Sequence, residues 1–223
     1  MTKKLCFEAI LKFSAGVALM AALLFLPAGT LDFPGGQLLM AVLFIPMFLA
    51  GIVMMLKNPA LLRSRLKAKE KEADQDLVIK LSGLMFLVGF ILAGLDFRFG
   101  WSKLPGWVST LGAVLFLSAY ALFAEVLREN TWLSRTIEVQ EGQTVVSTGL
   151  YGIVRHPMYM ATLLLFMVMP LVLGSWWALI PFAFYPAIII SRLKDEEELL
   201  TRELAGYVAY KETVKYRIIP FIW

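Results

Sequence analysis

Histidine and cysteine are nearly missing from this chain of 223 residues, which holds one of each, His156 and Cys6. A lone cysteine excludes an internal disulfide, and Cys6 reads as a small apolar residue. Neither a His/Cys metal cluster, a Gly-rich phosphate loop nor a Ser–His–Asp set can be assembled from what the chain offers. Charge is scarce as well, at 17% of residues against 59% hydrophobic, where soluble domains carry about 25% and 45–50%. Mean hydropathy is +0.73. These values exclude an ordinary soluble domain and describe an integral membrane protein embedded in a lipid bilayer. The net charge of +4 then reports topology rather than affinity for nucleic acid, and no nucleic-acid partner is expected. No internal repeat of the kind transporters use is present.

Long apolar runs are plentiful. Four stretches approach the roughly 20 residues needed to cross about 30 Å of hydrocarbon, at about 9–28, 37–56, 77–95 and 107–127. The N-terminal MTKKLCFEAILKF imitates a signal peptide, but its apolar run continues to Pro27 without an A-x-A site and is expected to be a retained span. A fifth apolar region, 158–191, is too long for one span and short for two. Pro170, Gly174 and Ser175 interrupt it, so it predicts a helical hairpin with arms at about 158–173 and 176–191, the second bent by Pro181 and Pro186. The fold class is therefore all-α and membrane-embedded, with about six apolar helices. Residues 1–127 are expected to form a four-span anchor with a basic loop at 57–76, and residues 128–223 a second region of loop, hairpin and C-terminal helix. That basic loop reads as a solvated helix on the membrane surface, with recruitment of an anionic lipid or partner as the alternative.

Loop charge tests this topology. With a cytoplasmic N-terminus, residues 1–12, 57–80, 128–155 and 192–217 hold 19 of the 21 Lys and Arg, leaving Arg98 and Lys103 outside. Both termini are expected in the cytoplasm, with a prokaryotic plasma membrane as the expected location. Glu125, near the end of the fourth span and three residues before Arg128, reads as a local ion pair, or else as a group at the mouth of a site.

Two polar clusters flank the hairpin on that side. The first is YGIVRHPMY, residues 151–159; Pro157 biases His156 to an extended backbone, where its ring can cap the hairpin or meet a polar ligand. The second is SRLKDEEELLTRELAGYVAYKETVKYRIIPFIW. If 192–205 is helical, Arg192 and Glu196 are i,i+4 neighbours, which describes a solvated surface pair or a site for a cationic cofactor beside an anionic substrate. Tyr207, Tyr210, Tyr216, Phe221 and Trp223 fit an interfacial aromatic belt equally well.

The ordered motifs R-H-P-M-Y and R-L-x-x-E-E-x-x-L, followed by G-Y-x-x-Y-x-x-x-V-x-Y-R-x-I-P, resemble the isoprenylcysteine carboxyl methyltransferase family within the wider phospholipid methyltransferase superfamily. The resemblance covers about 128–223 and leans toward a bacterial branch. It implies S-adenosylmethionine as cofactor, enclosed by Arg155, His156, Pro157 and Tyr159, with Glu197 as a contact and with Tyr151 and Gln140 at family positions upstream. It further implies Arg192 and Arg217 facing an anionic acceptor group and Glu196 as a candidate catalytic proton acceptor. Two positions depart from the family pattern: Ala161 replaces a usual Gly, and L-A-G-Y stands where F-G-x-x-Y is common. The expected activity is methyl transfer to a lipid-like or lipidated acceptor, with carboxyl O-methylation first. A phospholipid N-methyltransferase, a membrane reductase and a transporter or non-catalytic scaffold are the alternatives.

Overall fold

The computed structural model describes residues 3–57, 59–66, 73–133 and 137–223. Its helices are α1 (Lys3–Ala28), α2 (Pro34–Lys57), α3 (Pro59–Leu66), α4 (Ala73–Phe99), α5 (Gly106–Glu129), α6 (Pro157–Leu173), α7 (Trp176–Phe182), α8 (Tyr185–Glu203) and α9 (Tyr207–Thr213), with a 3-10 turn at Gly149–Gly152. The described residues contain no strand. Five stretches are long and apolar enough to cross a membrane: Lys4–Ala28, Pro34–Lys57, Leu77–Phe99, Gly106–Glu129 and Trp176–Glu203. On α1, large side chains such as Phe7, Leu19 and Leu26 are exposed, which suits a lipid solvent rather than water.

Helix α6 is the central strut, packed against α5, α2, α7 and α8. Its Val172 is fully buried with Leu24, Leu39, Phe116 and Phe182 in one core. At about 26 Å it is shorter than the hydrocarbon core. Gly174, left-handed at φ 70°, ends it, and Ser175 caps α7 by accepting the Ala178 N–H at 3.0 Å. The bend expected at Pro181 and Pro186 is a short interruption at Ala183 and Phe184, both of which keep right-handed helical backbone angles. Helix α7 stops at Phe182, and α8 restarts with Pro186 in its first turn, where the missing N–H has no helical partner to lose. From there α8 runs without interruption to Glu203, so the part of the second hairpin arm from Tyr185 onward and the polar segment from Arg192 to Glu203 form one rod.

Two polar links hold the bundle. Tyr120 donates its hydroxyl to the Leu43 carbonyl at 3.0 Å, joining α5 to α2. Asp96, only 2% exposed, accepts the Ser102 N–H and hydroxyl, each at 2.6 Å, and the Ser175 hydroxyl. The Ser102 hydroxyl oxygen in turn accepts the Trp176 N–H at 3.0 Å. A buried carboxylate is tolerated when donors surround it, and here it fastens the end of α4 to the α6–α7 turn. In the basic stretch, α3 packs against α2, and the Lys12 ammonium of α1 donates to the Leu66 carbonyl at the end of α3 at 2.8 Å; residues 67–72 of the expected surface helix lie outside the described residues.

Candidate functional site

The site forms where the start of α6, the polar half of α8 and the C-terminal segment meet. The Arg155 and His156 N–H groups donate to the carbonyls of Tyr216 and Arg217, at 2.9 and 2.8 Å. With His156 at φ −125° ahead of Pro157, the backbone turns both N–H groups toward the returning chain rather than into α6.

Glu197 is the hub. Its Oε1 accepts from Arg155 Nε at 2.6 Å and lies 3.2 Å from His156 Nε2, and its Oε2 accepts from Arg217 Nε at 2.9 Å. Arg155 spends its other donors on the Val214 and Lys215 carbonyls. Arg155, His156 and Glu197 are all buried, so each charge is met by an opposite charge or a carbonyl, as burial requires. Arg217 is about one-third exposed and lies over the Trp223 ring at 5.1 Å.

Glu196, one residue on, points the other way. It accepts the Tyr159 hydroxyl, whose oxygen also accepts from Arg192 Nε at 3.2 Å. The His156 ring sits between the two carboxylates, with Nδ1 3.9 Å from Glu196, and stacks on Tyr159 at 5.7 Å. Ala161, two residues further along α6, is fully buried. On the far side, the end of α5 clamps the 3-10 turn. Glu129 accepts the Leu150 N–H at 2.9 Å, and Asn130 donates to the Tyr151 hydroxyl at 2.9 Å. Tyr210 donates to the Tyr151 carbonyl at 2.7 Å. Burial pushes the Tyr151 phenol up to about 12, against the opposing pull of the Asn130 bond, and it raises Tyr207 and Tyr210 as well. All three present neutral hydroxyls at physiological pH.

These groups wall a cavity of about 90 Å³ within a wider cleft that opens to solvent. Tyr151, Arg155, His156, Tyr159, Arg192 and Glu196 line it, with an apolar side from Val145, Val146, Leu199, Leu200 and Leu204. Small-molecule sites usually measure about 300–1,000 Å³, so a nucleoside-sized ligand must displace part of the wall. Among the sequence candidates, Gln140, Pro157, Glu197 and Arg217 are not wall residues. Gln140 holds the loop closed, donating its Nε2–H to the Trp132 carbonyl at 2.7 Å and its N–H to Gln143 at 2.8 Å; Gln143 is the neighbour that lines the cavity. Glu125 is joined to Arg128 through both carboxylate oxygens, at 2.8 and 2.5 Å, and stays outside the cavity. Asn130, Trp132 and Glu138 are wall residues that the sequence did not single out. Asn130 carries one local signal, a polar residue just beyond the last turn of α5.

Comparison with known proteins bears on the same region. Residues 107–206 match the phospholipid methyltransferase family model. That match runs from α5 through the clamp, α6 and α8, and stops before Tyr207; it covers under half of the chain. The methyltransferase-like region therefore contains both carboxylates and the His156 motif, whereas Arg217 lies beyond it. A Delta(14)-sterol reductase of Mus musculus is 30% identical over 91 residues, or 40% of this chain and 22% of the reductase. The match thus reaches about a fifth of that relative's length.

Proposed function

We propose that the protein is an S-adenosylmethionine-dependent methyltransferase whose acceptor is a lipid-like or lipidated molecule, with carboxyl O-methylation as the reaction. The observation that carries this reading is the meeting of two motifs some 40 residues apart in sequence, Arg155–Tyr159 and Glu196–Glu197, around one cavity. The wall suits such a cofactor in chemistry: Glu196 and Glu138 bring negative charge, Tyr151, Tyr159, Tyr207 and Trp132 bring aromatic rings, and leucines and valines cover the apolar remainder. S-adenosylmethionine supplies, when bound, a methyl group on a sulfonium, open to in-line displacement.

The protein's part is positioning and exclusion of water. Glu197 fixes Arg155 and His156; Tyr159, held by Glu196 and Arg192, fixes the opposite wall. A carboxylate acceptor needs no base, and Arg192 is the wall cation that would orient it. The family match favours a second reading, methylation of a phospholipid amine, in which Glu196 would take the proton that the amine must lose. The site and both termini then face the cytoplasm, as the loop charges indicate.

The test is an acceptor screen with methyl-tritiated S-adenosylmethionine in lipid nanodiscs. Transfer to lipid carboxylates that Arg192→Ala abolishes supports the first reading, and transfer confined to amine headgroups supports the second. Absence of transfer to either class, together with binding of a nicotinamide dinucleotide, would replace both with reductase chemistry.

A further inference from the structure

A second hollow lies on the membrane side of α8. It is a groove of about 850 Å³ between α4 and the α7–α8 arm. One wall runs from Leu77 through Leu84 and Val88 to Leu92, and the other from Ile180 through Phe184 and Ile188 to Ser191 and Asp195. Both walls belong to stretches able to cross a membrane. Along α4 the groove extends about 22 Å, more than one leaflet's share of a hydrocarbon core about 30 Å thick. One floor of the groove is the close approach of α4 to α7, where Phe86 and Phe90 pack on the Phe182 ring at 5.6 and 5.9 Å. Gly89 has no side chain to hold off the Phe182 ring, and a β-carbon there would lie 2.5 Å from it. Val88, Leu84 and Phe184, by contrast, stay exposed.

Helical geometry connects the groove to the candidate site. Residues four apart share a face. Ile188, in the groove, is one turn before Arg192, in the cavity wall; Asp195, at the groove's polar end, is one turn before Leu199, also in that wall. The two hollows are therefore adjoining stripes of one helix, and Arg192 stands at their seam. An apolar trough at membrane depth does not hold water. Its polar end, at Ser191 and Asp195, leads to the one place where the wall carries Arg192 and Glu196 together.

We infer that this groove holds the hydrocarbon chain of the acceptor lipid, so that the headgroup reaches the Arg192–Glu196 end of the cavity and α4 and α8 select chain length. This rests on the methyltransferase reading for the role of the chain, but not for its location.

The test is photolabelling in nanodiscs with a trace of a palmitic acid analogue carrying a mid-chain diazirine, mapped by mass spectrometry. S-adenosylhomocysteine binding is measured on the same samples. The expected result is labelling of 77–92 and 184–195 at least fivefold above the exposed faces of α1 and α2. Ala187→Trp, which puts an indole into the groove from an exposed position, should abolish that excess without changing S-adenosylhomocysteine affinity. Leu84→Trp does the same from the opposite wall if Ala187→Trp fails to fold. Uniform labelling of all lipid-facing helices, or an excess that neither variant reduces, overturns the inference while leaving the methyltransferase reading intact. A groove protected from the probe within a dimer assigns that face to a second copy of the chain and overturns it equally. Selective labelling by a protein that binds no S-adenosylhomocysteine overturns the acceptor role together with the methyltransferase reading.

Discussion

Replacing Glu197 with Ala removes the common acceptor of three side chains. Arg155 Nε loses a partner at 2.6 Å, and His156 Nε2 loses its contact at 3.2 Å, both in a buried setting. Arg155 keeps the Val214 and Lys215 carbonyls, but its charge then has no counter-charge. Taking one partner from a buried ion pair costs about 3–5 kcal/mol. The Arg217 bond, about one-third exposed, adds at most about 1 kcal/mol because solvent screens it. The loss is large beside the roughly 5–15 kcal/mol that holds a typical domain together. It should appear first where the C-terminal segment docks, at the Arg155 and His156 amides that bond Tyr216 and Arg217. Glu197→Gln keeps one carbonyl acceptor for Arg155 but loses the charge and turns an amide NH2 donor toward a donor of Arg155 or Arg217, so a cost below that of Glu197→Ala, yet measurable, is expected. Thermal unfolding in detergent and amide hydrogen exchange over 153–158 measure both variants. Unchanged exchange and melting in Glu197→Ala would refute the hub role.

Glu196→Gln, at the cavity wall and a quarter exposed, should leave melting nearly unchanged and weaken S-adenosylhomocysteine binding tenfold or more in calorimetry, the reverse of the pattern expected at Glu197. Ser175→Ala removes a donor to buried Asp96 and the cap of α7; a loss of about 1–3 kcal/mol in unfolding is expected, with ligand affinity unchanged because the lock lies at the other end of the bundle. Tyr151, pushed up to about 12 by burial, should remain protonated when an unfolded tyrosine ionises near 10. Its contribution to stability is then full below pH 10 and falls as pH rises from about 10 to 12. Absorbance titration of wild type against Tyr151→Phe reads this directly, and ionisation of Tyr151 near pH 10 would contradict its burial.

The spans were legible because lipid imposes a length and a composition on each of them. Gly174 announced the hairpin turn, since few other residues accept a left-handed position. The continuity of α8 was hidden because composition changes at Ser191 while helix geometry does not. In the candidate site, the motifs marked which residues gather but not their layering. Glu196 and Glu197 are adjacent, so they point about 100° apart on a helix; only packing shows that Glu196 meets the cavity while Glu197 turns inward to Arg155. Gln140 and Gln143 differ in the same way, one closing the loop and the other facing the space. Asn130 and Glu129 act on a turn about 20 residues away, a pairing with no local pattern to reveal it.

The most direct test is calorimetric titration of the folded, detergent-solubilised protein with S-adenosylhomocysteine, run beside Glu196→Gln. Saturable binding at one site, weakened at least tenfold in the variant, is the predicted result. A folded wild-type protein that binds none of it, or a variant that binds as wild type does, would contradict the assignment of this cavity to the cofactor.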